Sequence, residues 1–305
     1  MNIVINLNKP ERISSHRAAN DVKRLFAAKK AGHAGTLDPI ATGVLIVCLN
    51  EATKITRFLS VLDKEYIVGL KLGERTDTYD STGRVVETRD CCSIRENDLY
   101  EILKDFVGPL RQSPPMYSAV KMGGRPLYKL ARKGIDIERP EREIYIYKID
   151  LISFTHPYID LKVVCSKGTY IRTLCDDIGK ALGAGAHMVS LKRTRVGRFI
   201  IEDSESLEEF GHKGAACHTM DSVLSHLGEI VLDSDSYNKA RNGMPVARLD
   251  KSVPITGKNG ATSGKLLINK YVRLKSPELV LFGIGRIEDE DIKIERLLNT
   301  SLPRL

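Results

Sequence analysis

The apolar residues of the chain change period from segment to segment. Residues 43–49, GVLIVCL, are apolar at every position, as a strand buried on both faces requires. KEYIVGLKLG, residues 64–73, alternates instead and sets Tyr66, Val68, Leu70 and Leu72 on one face of a strand. In SKGTYIRTLCDDIGKALG, Ile171, Leu174, Ile178 and Ala181 or Leu182 recur at helical spacing. A short basic amphipathic helix is predicted over 20–31, with Val22, Leu25, Phe26 and Ala28 inward and Lys23, Arg24, Lys29 and Lys30 outward. Asn50 is placed to cap a further helix whose stripe is Ala52, Ile55, Phe58, Leu59 and Leu62. EIYIYKIDLISF, YIDLKVVC and AHMVSLKRTRVGRFI read as strands, the last of them basic.

Punctuation divides these segments. ERTDTYDSTG, residues 74–83, is a turn-rich loop. Residues 111–142 mix prolines and glycines with many Lys and Arg residues, Tyr117 and Tyr128, the texture of a mobile basic excursion from a sheet. After about residue 225 the chain turns to short strands and glycine turns: NGMPVARL, GKLLINKYVRL, ELVLFGIGRI and IKIERLL. A small β domain is expected there. No internal repeat or low-complexity tract interrupts the pattern.

Composition narrows the class. With 305 residues the chain suits one large domain plus a small one. Hydrophobic residues make up 42% and charged residues 28%, and the longest uncharged apolar stretch, Pro39 to Asn50, is far below the roughly 20 residues of a membrane helix. MNIVINLNKPER has none of the parts of an export signal, so a soluble cytoplasmic protein is expected. Six irregularly spaced cysteines suit neither a disulfide framework nor a zinc site and read as reduced thiols. A net charge of +8 and a pI of about 9.1 favour a polyanionic partner.

Candidate chemistry centres on GHAGTLDPIATGVL, residues 32–45, where Asp38 lies in the loop entering the buried strand. Taken alone, Asp-Pro beside glycines is usually a turn, because Asp bonds its own backbone and Pro fixes φ. The wider loop carries more information. His33, Gly35, Thr36, Leu37, Asp38, Pro39, Ala41, Thr42 and Gly43 together resemble the signature loop of the TruB family, pseudouridine synthases acting on the T-loop of tRNA. EATK (51–54), KEY (64–66), LGERTDTYDSTG (72–83), PPMYSAVK (114–121), PLYKLAR (126–132) and CSKGTYIRTLCDDIG (165–179) resemble further family blocks in the same order. NGMPV and LFGIGRIEDEDIKIERLL are similar to the PUA-like RNA-binding domain of bacterial members.

The resemblance implies an α+β fold: a mixed, largely antiparallel sheet with flanking helices over 1–228, carrying the basic RNA-clamping insertion at about 111–142, then a PUA-like β domain over 229–305. It implies isomerisation of uridine 55 in the tRNA T-loop, with tRNA as partner and a monomeric enzyme. Asp38 matches the catalytic carboxylate, Arg172 the arginine that pairs with it, and Tyr66 the aromatic residue that stacks on the flipped uracil. His33 matches an RNA-contacting histidine and Leu191 an apolar residue of the uracil pocket. Lys54 and, in the insertion, Tyr117, Lys121, Arg125, Tyr128 and Arg132 fall in blocks assigned to RNA contact. Lys192, Arg193, Arg195 and Arg198 form a second positive stretch suited to phosphates.

Pseudouridine forms when uracil leaves the sugar through N1, turns in place and rejoins through C5. Nothing is oxidised and no group is imported, so neither metal nor organic cofactor is demanded. One ionised carboxylate can start the reaction by attack on C1′, by attack on C6, or by removing a sugar proton. Reaching the base in a folded T-loop means flipping it out of its stack. An RNA-binding folding helper and a base-releasing hydrolase are the competing classes. Asp77 and Asp80 lack the spacing of a calcium loop, and Asp176 and Asp177 diverge on a helix, so turn or surface roles are expected for both pairs. One departure stands out. Where the family usually has a glycine before a Thr-Ser pair, this chain has Arg12 and then Ser14-Ser15, and a positive φ at that glycine would strain Arg12.

Overall fold

The apolar run becomes a buried strand, β3 (Thr42–Leu49), antiparallel to β1 (Ile3–Lys9) and to the short β2 (Ala31–Ala34). These elements belong to the first of two units in a computed structural model that describes residues 1–210, 216–247 and 270–299. That unit comprises Met1–Leu62 and the chain from Val196 onward; Asp63–Arg195 form the second.

Helix α1 (Ser15–Leu25) starts five residues before the predicted helix. Ser14 is its N-cap and accepts from the Arg17 amide, and the buried stripe is Ser15, Ala18, Ala19 and Val22. Small residues on the first turns leave little hydrophobic signal. Leu25, expected inward, is exposed on the last turn, while Phe26 packs edge-on to Phe210. Asn50 does not cap the next helix. With φ of +52° its Oδ1 accepts the amides of Lys29 and Lys30 at 2.8 and 3.1 Å, tying down the loop before β2. A 3-10 turn (Asn50–Ile55) then leads into α2 (Thr56–Ser60), and the predicted stripe Ala52, Ile55, Phe58 and Leu59 is buried with Leu62 packed against it.

The second unit opens with β4 (Lys64–Leu72), whose Tyr66, Val68, Leu70 and Leu72 are all buried. A two-stranded hairpin, β5 (Glu74–Thr76) and β6 (Val85–Thr88), frames the predicted loop, followed by α3 (Glu96–Asp105) and β7 (Gly108–Gln112). The basic insertion holds a second hairpin, β8 (Lys121–Met122) with β9 (Arg125–Pro126), and α4 (Leu127–Ala131). The expected long strands are β10 (Arg142–Thr155) and β11 (Tyr158–Cys165); then come α5 (Ile171–Ala181) and β12 (Ala186–Val196). The order β12-β4-β11-β10-β7 makes one sheet side by side, antiparallel at β4/β11, β11/β10 and β10/β7. Along α5, Ile171, Leu174 and Ile178 are buried; Leu182 is half-buried and Ala181 exposed, which decides between the two.

Back in the first unit, β13 (Phe199–Ile200), β14 (Cys217–Thr219) and α6 (Met220–Val223) precede the C-terminal sheet, with β14 paired to β1. That sheet has the order β15-β17-β18-β19-β16: β15 (Gly228–Val231), β16 (Val246–Ala247), β17 (Tyr271–Lys275), β18 (Leu281–Glu288) and β19 (Asp291–Leu297). Its β15/β17 pair is parallel and the rest antiparallel. Residues 264–269 of the predicted strand GKLLINKYVRL, and Arg248 and Leu249 of NGMPVARL, lie outside the described residues. An unpredicted helix, α7 (Ser234–Arg241), is N-capped by Asp233 and buries only Ala240, so no apolar stripe announces it. Leu281, Ile284 and Leu298 join Val4, Ile46, Ile55 and Phe58 in one core, while Leu232, Val272, Leu274, Phe282 and Ile292 form another.

The molecule is thus α+β with mixed, largely antiparallel sheets and a C-terminal curled sheet, as the sequence predicts. No helix of the described residues is long and apolar enough to cross a membrane. All six cysteines are free; burial pushes the Cys48 and Cys165 thiols up to about 12.

Candidate active site

Asp38 is half-buried in the loop joining β2 to β3. Its carbonyl accepts from the Ala41 amide at 3.0 Å, closing the Asp-Pro turn. Gly35 and Gly43, with φ of +95° and +99°, flank the loop where a side chain would disfavour the reversal. The N-terminal segment holds the loop from both sides of the carboxylate. The Arg12 amide donates to the Pro39 carbonyl at 2.8 Å, and the Ser15 hydroxyl bonds both backbone groups of Leu37. Buried Lys9 shapes this segment, its Nζ donating to the carbonyls of Pro10 and Ile13 at 2.7 and 2.9 Å. Arg12 does take the positive φ expected of the missing glycine, +68°. A left-handed conformation costs a non-glycine residue about 1–2 kcal/mol, partly offset because glycine frees the unfolded chain. Arg12→Gly is therefore expected to stabilise the fold by about 0.5–1 kcal/mol in urea unfolding; a destabilised variant would mean that the Arg12 side chain contributes more than its backbone costs.

His33 lies half-buried on β2 of the same unit, its residue paired with Val47 of β3. Lys54 sits on the 3-10 turn, where its Nζ pairs with Glu51 at 2.7 Å and donates to the Leu297 carbonyl at 3.1 Å.

The other predicted catalytic residues are in the second unit. Tyr66 on β4 and Leu191 on the neighbouring β12 are both buried. Arg172, on the first turn of α5, is 4% exposed. Its Nη1 donates to the Thr78 carbonyl at 3.1 Å and lies 3.5 Å from Asp80 Oδ2; its Nη2 donates to the Tyr117 carbonyl at 2.8 Å. Arg172 thus ties the Thr78–Asp80 turn to the start of the insertion. Thr78 and Thr82 both hydrogen-bond Asp80 Oδ1, and the Ser81 amide and Met188 carbonyl dock the turn on β12 at 2.8 Å. Gln112, buried at the end of β7, clamps the entry to α5 by donating to the Tyr170 carbonyl and accepting from its amide.

Asp80 takes the turn role expected of it, though buried, whereas Asp176 needs correction, being neither in a turn nor at the surface. Asp80 is 4% exposed and seats Arg172, and Asp176, fully buried, bonds Arg75 at 2.8 Å and Lys180 at 2.6 Å. A buried carboxylate needs such partners. Asp80 was the buried partner of Arg172 that pattern reading missed; its signal was the threonines at 76, 78 and 82, whose hydroxyls donate to its carbonyl or carboxylate.

The insertion presents its cations outward. Lys121 and Arg125 are exposed on the β8/β9 hairpin, Tyr117 and Tyr128 are half-buried, and the exposed Arg132 guanidinium lies 5.5 Å from the Tyr128 ring centre. In the second basic stretch Lys192 and Arg198 are exposed, but Arg193 is only 1% exposed and belongs to the interior, so it cannot serve as a surface phosphate contact. Burial, reinforced by the Arg193 charge, pushes buried Lys64 down to about 8. Folding therefore discards a proton that the unfolded chain keeps up to about pH 10.4, so the penalty is fully present below pH 8 and is relieved between pH 8 and 10.4. Wild-type stability is expected to rise with pH relative to Lys64→Met across that window in urea unfolding; parallel profiles would contradict the assignment.

Comparison with known proteins bears on both halves of this arrangement. Residues 23–171 match the family model described as TruB family pseudouridylate synthase (N terminal domain), and residues 172–237 that of the tRNA pseudouridylate synthase B C-terminal domain. The chain belongs to the TruB family. It is 41% identical over 300 residues to the tRNA pseudouridine synthase B of Clostridium tetani, covering 98% of this chain and 100% of that protein. The same-named protein of Vibrio campbellii is 42% identical over 306 residues, covering 95% and 92%. Among solved structures, a Cbf5-Nop10-Gar1 complex contains a chain superposing with a TM-score of 0.69 at 26% identity, over 99% of this chain and 85% of that one. The TruB N-terminal match includes the Asp38 loop and β4, and Arg172 is the first residue of the C-terminal match.

Proposed function

We propose that the protein isomerises uridine to pseudouridine in tRNA, and that its site is uridine 55 of the T-loop. The observation that carries this reading is near-full-length relatedness to tRNA pseudouridine synthases together with an Asp38 turn held on both flanks by the N-terminal segment. Asp38 is the catalytic carboxylate, Arg172 the cation that favours an ionised carboxylate in a pocket closed to water, and Tyr66 the aromatic partner of the flipped uracil, with Leu191 walling its pocket. His33, Lys54, Tyr117, Lys121, Arg125, Tyr128 and Arg132 contact the RNA. Residues 1–228 form the catalytic domain, with the insertion at about 111–142, and 229–305 a PUA-like RNA-binding domain. The enzyme works in the cytoplasm as a monomer.

Between cleavage at N1 and rejoining at C5 the pocket must hold the base and exclude water, since escape of the base or attack by water would divert the reaction to hydrolysis. Incubation with an unmodified tRNA transcript therefore leaves the RNA mass unchanged and produces one pseudouridine, mapped to the T-loop. Loss of uracil mass would point to a hydrolase, and tight binding without any modification to an RNA-folding helper. Replacing Lys121, Arg125 and Arg132 together by alanine is expected to weaken tRNA binding and to flatten its salt dependence by about 2–3 in log–log slope, close to one counterion per lost phosphate contact. An unchanged slope would remove the insertion from the RNA interface.

A further inference from the structure

Two adjacent serines at the start of α1 do different work. Ser14 is the N-cap, its hydroxyl accepting from the Arg17 amide at 3.1 Å on the helix surface. Ser15 is 1% exposed and turned away from its own helix: Oγ donates to the Leu37 carbonyl at 3.0 Å and accepts from the Leu37 amide at 2.8 Å. A hydroxyl has one proton to give and lone pairs to receive, so this single side chain satisfies both backbone groups of the residue immediately before Asp38. On the other side of Asp38, the Arg12 amide holds the Pro39 carbonyl. Residues 12 and 15 thereby bracket the carboxylate at positions 37 and 39, leaving its peptide little freedom to rotate.

We propose that Ser15 is a positioning residue for the isomerisation, setting the direction of the Asp38 carboxylate through Leu37; this rests on the reading of Asp38 as the catalytic group. Helix capping does not require Ser15, since Ser14 supplies the cap, and RNA binding does not require it, since it is buried. Its two bonds go to a loop whose backbone would otherwise leave a buried donor and acceptor to find other partners. A displacement of about 1 Å at a reacting group can cost on the order of 10²-fold in rate while leaving substrate affinity intact.

The test compares Ser15→Ala, Ser14→Ala and Asp38→Asn in the full-length enzyme, measuring single-turnover rate, tRNA affinity and amide exchange at Leu37, well below the melting temperature. Ser15→Ala is expected to slow turnover by about 10- to 100-fold with tRNA affinity within about 2-fold of wild type, and to expose the Leu37 amide to exchange. Ser14→Ala weakens the same helix without touching the loop, and equal losses in the two serine variants would overturn the proposal as mere helix stability. Wild-type turnover by Ser15→Ala beside an inactive Asp38→Asn would overturn the clamp and keep the aspartate. An active Asp38→Asn would overturn the reading beneath it. Should Ser15→Ala fail to fold, Ser15→Thr and Ser15→Val add nearly equal volume and differ in the hydroxyl: at least about ten-fold more activity in the threonine variant supports the clamp, and equal activity overturns it.

Discussion

Replacing Asp38 by asparagine is expected to abolish pseudouridine formation, by about 10⁴-fold or more, while tRNA still binds. The substitution keeps the size of the side chain and leaves in place the backbone bonds of Leu37, Asp38 and Pro39 that hold the loop. What disappears is the negative charge. All three routes open to the enzyme, attack at C1′, attack at C6 and removal of a sugar proton, need an electron pair that a neutral amide does not offer. Affinity for tRNA draws on many cations spread over the surface and loses little by removing one acid. Because removal of a carboxylate from a positive surface can even strengthen RNA binding, affinity equal to or above that of wild type is the expected companion of lost turnover.

The second large effect is at Arg172. Replacing it by methionine keeps an unbranched, mostly apolar stem and removes every polar contact at once. The carbonyls of Thr78 and Tyr117 lose their donor, and Asp80 is left buried with threonine hydroxyls and the Thr82 amide but without its cation. Breaking a buried ion pair from one side costs about 3–5 kcal/mol, which should appear as a lower urea midpoint. If Arg172 has the role proposed for it, activity should fall further than stability explains, on the order of 10²–10³-fold at a temperature where the variant remains folded, because the cation that favours an ionised Asp38 is lost with it. Asp80→Asn separates the two consequences. It retains Arg172 and a hydrogen-bonding partner for it, so a smaller stability loss is expected; a loss as large as that of Arg172→Met would make the turn, rather than the cation, the source of the effect.

These expectations depend on features of unequal legibility in the sequence. Strands β3, β4, β10 and β11 were plain because branched and aromatic residues either alternate or fill every position, and in β3, β4 and β11 burial follows the pattern. Helix α1 was misplaced because Ala18, Ala19 and Ser15, small enough to let the helix approach β2 and β3, carry almost no hydrophobic weight. Asn50 looked like a cap because Asn before an apolar stripe usually is one; that it would instead adopt a positive φ and receive the amides of Lys29 and Lys30 depends on a chain segment twenty residues earlier.

Site residues divide in the same way. Asp38 was singled out by the resemblance of its own loop, and Arg172 by that of its own helix. Arg12 was flagged by what should have stood in its place, and the backbone took the conformation that the missing glycine suggested. The burial of Asp80, Asp176 and Arg193 was hidden, because a charged residue looks solvent-facing until its partners are brought in from elsewhere in the fold; those of Asp176 on α5, for instance, include Arg75 from β5. Ser15 was hidden for a different reason: it stood outside the helix predicted over 20–31, and only the fold shows its hydroxyl turned to Leu37.

The central claim, that this chain isomerises a tRNA uridine through Asp38, is tested most directly by tritium release. When uracil rejoins through C5, the hydrogen on that carbon must leave, so an unmodified transcript labelled at uridine C5 reports each completed isomerisation. Wild-type protein is expected to release one equivalent per tRNA, mapping to the T-loop, and Asp38→Asn to release none under the same conditions. Release by Asp38→Asn at the wild-type rate, or no release by wild type from tRNA that it binds tightly, would contradict the account.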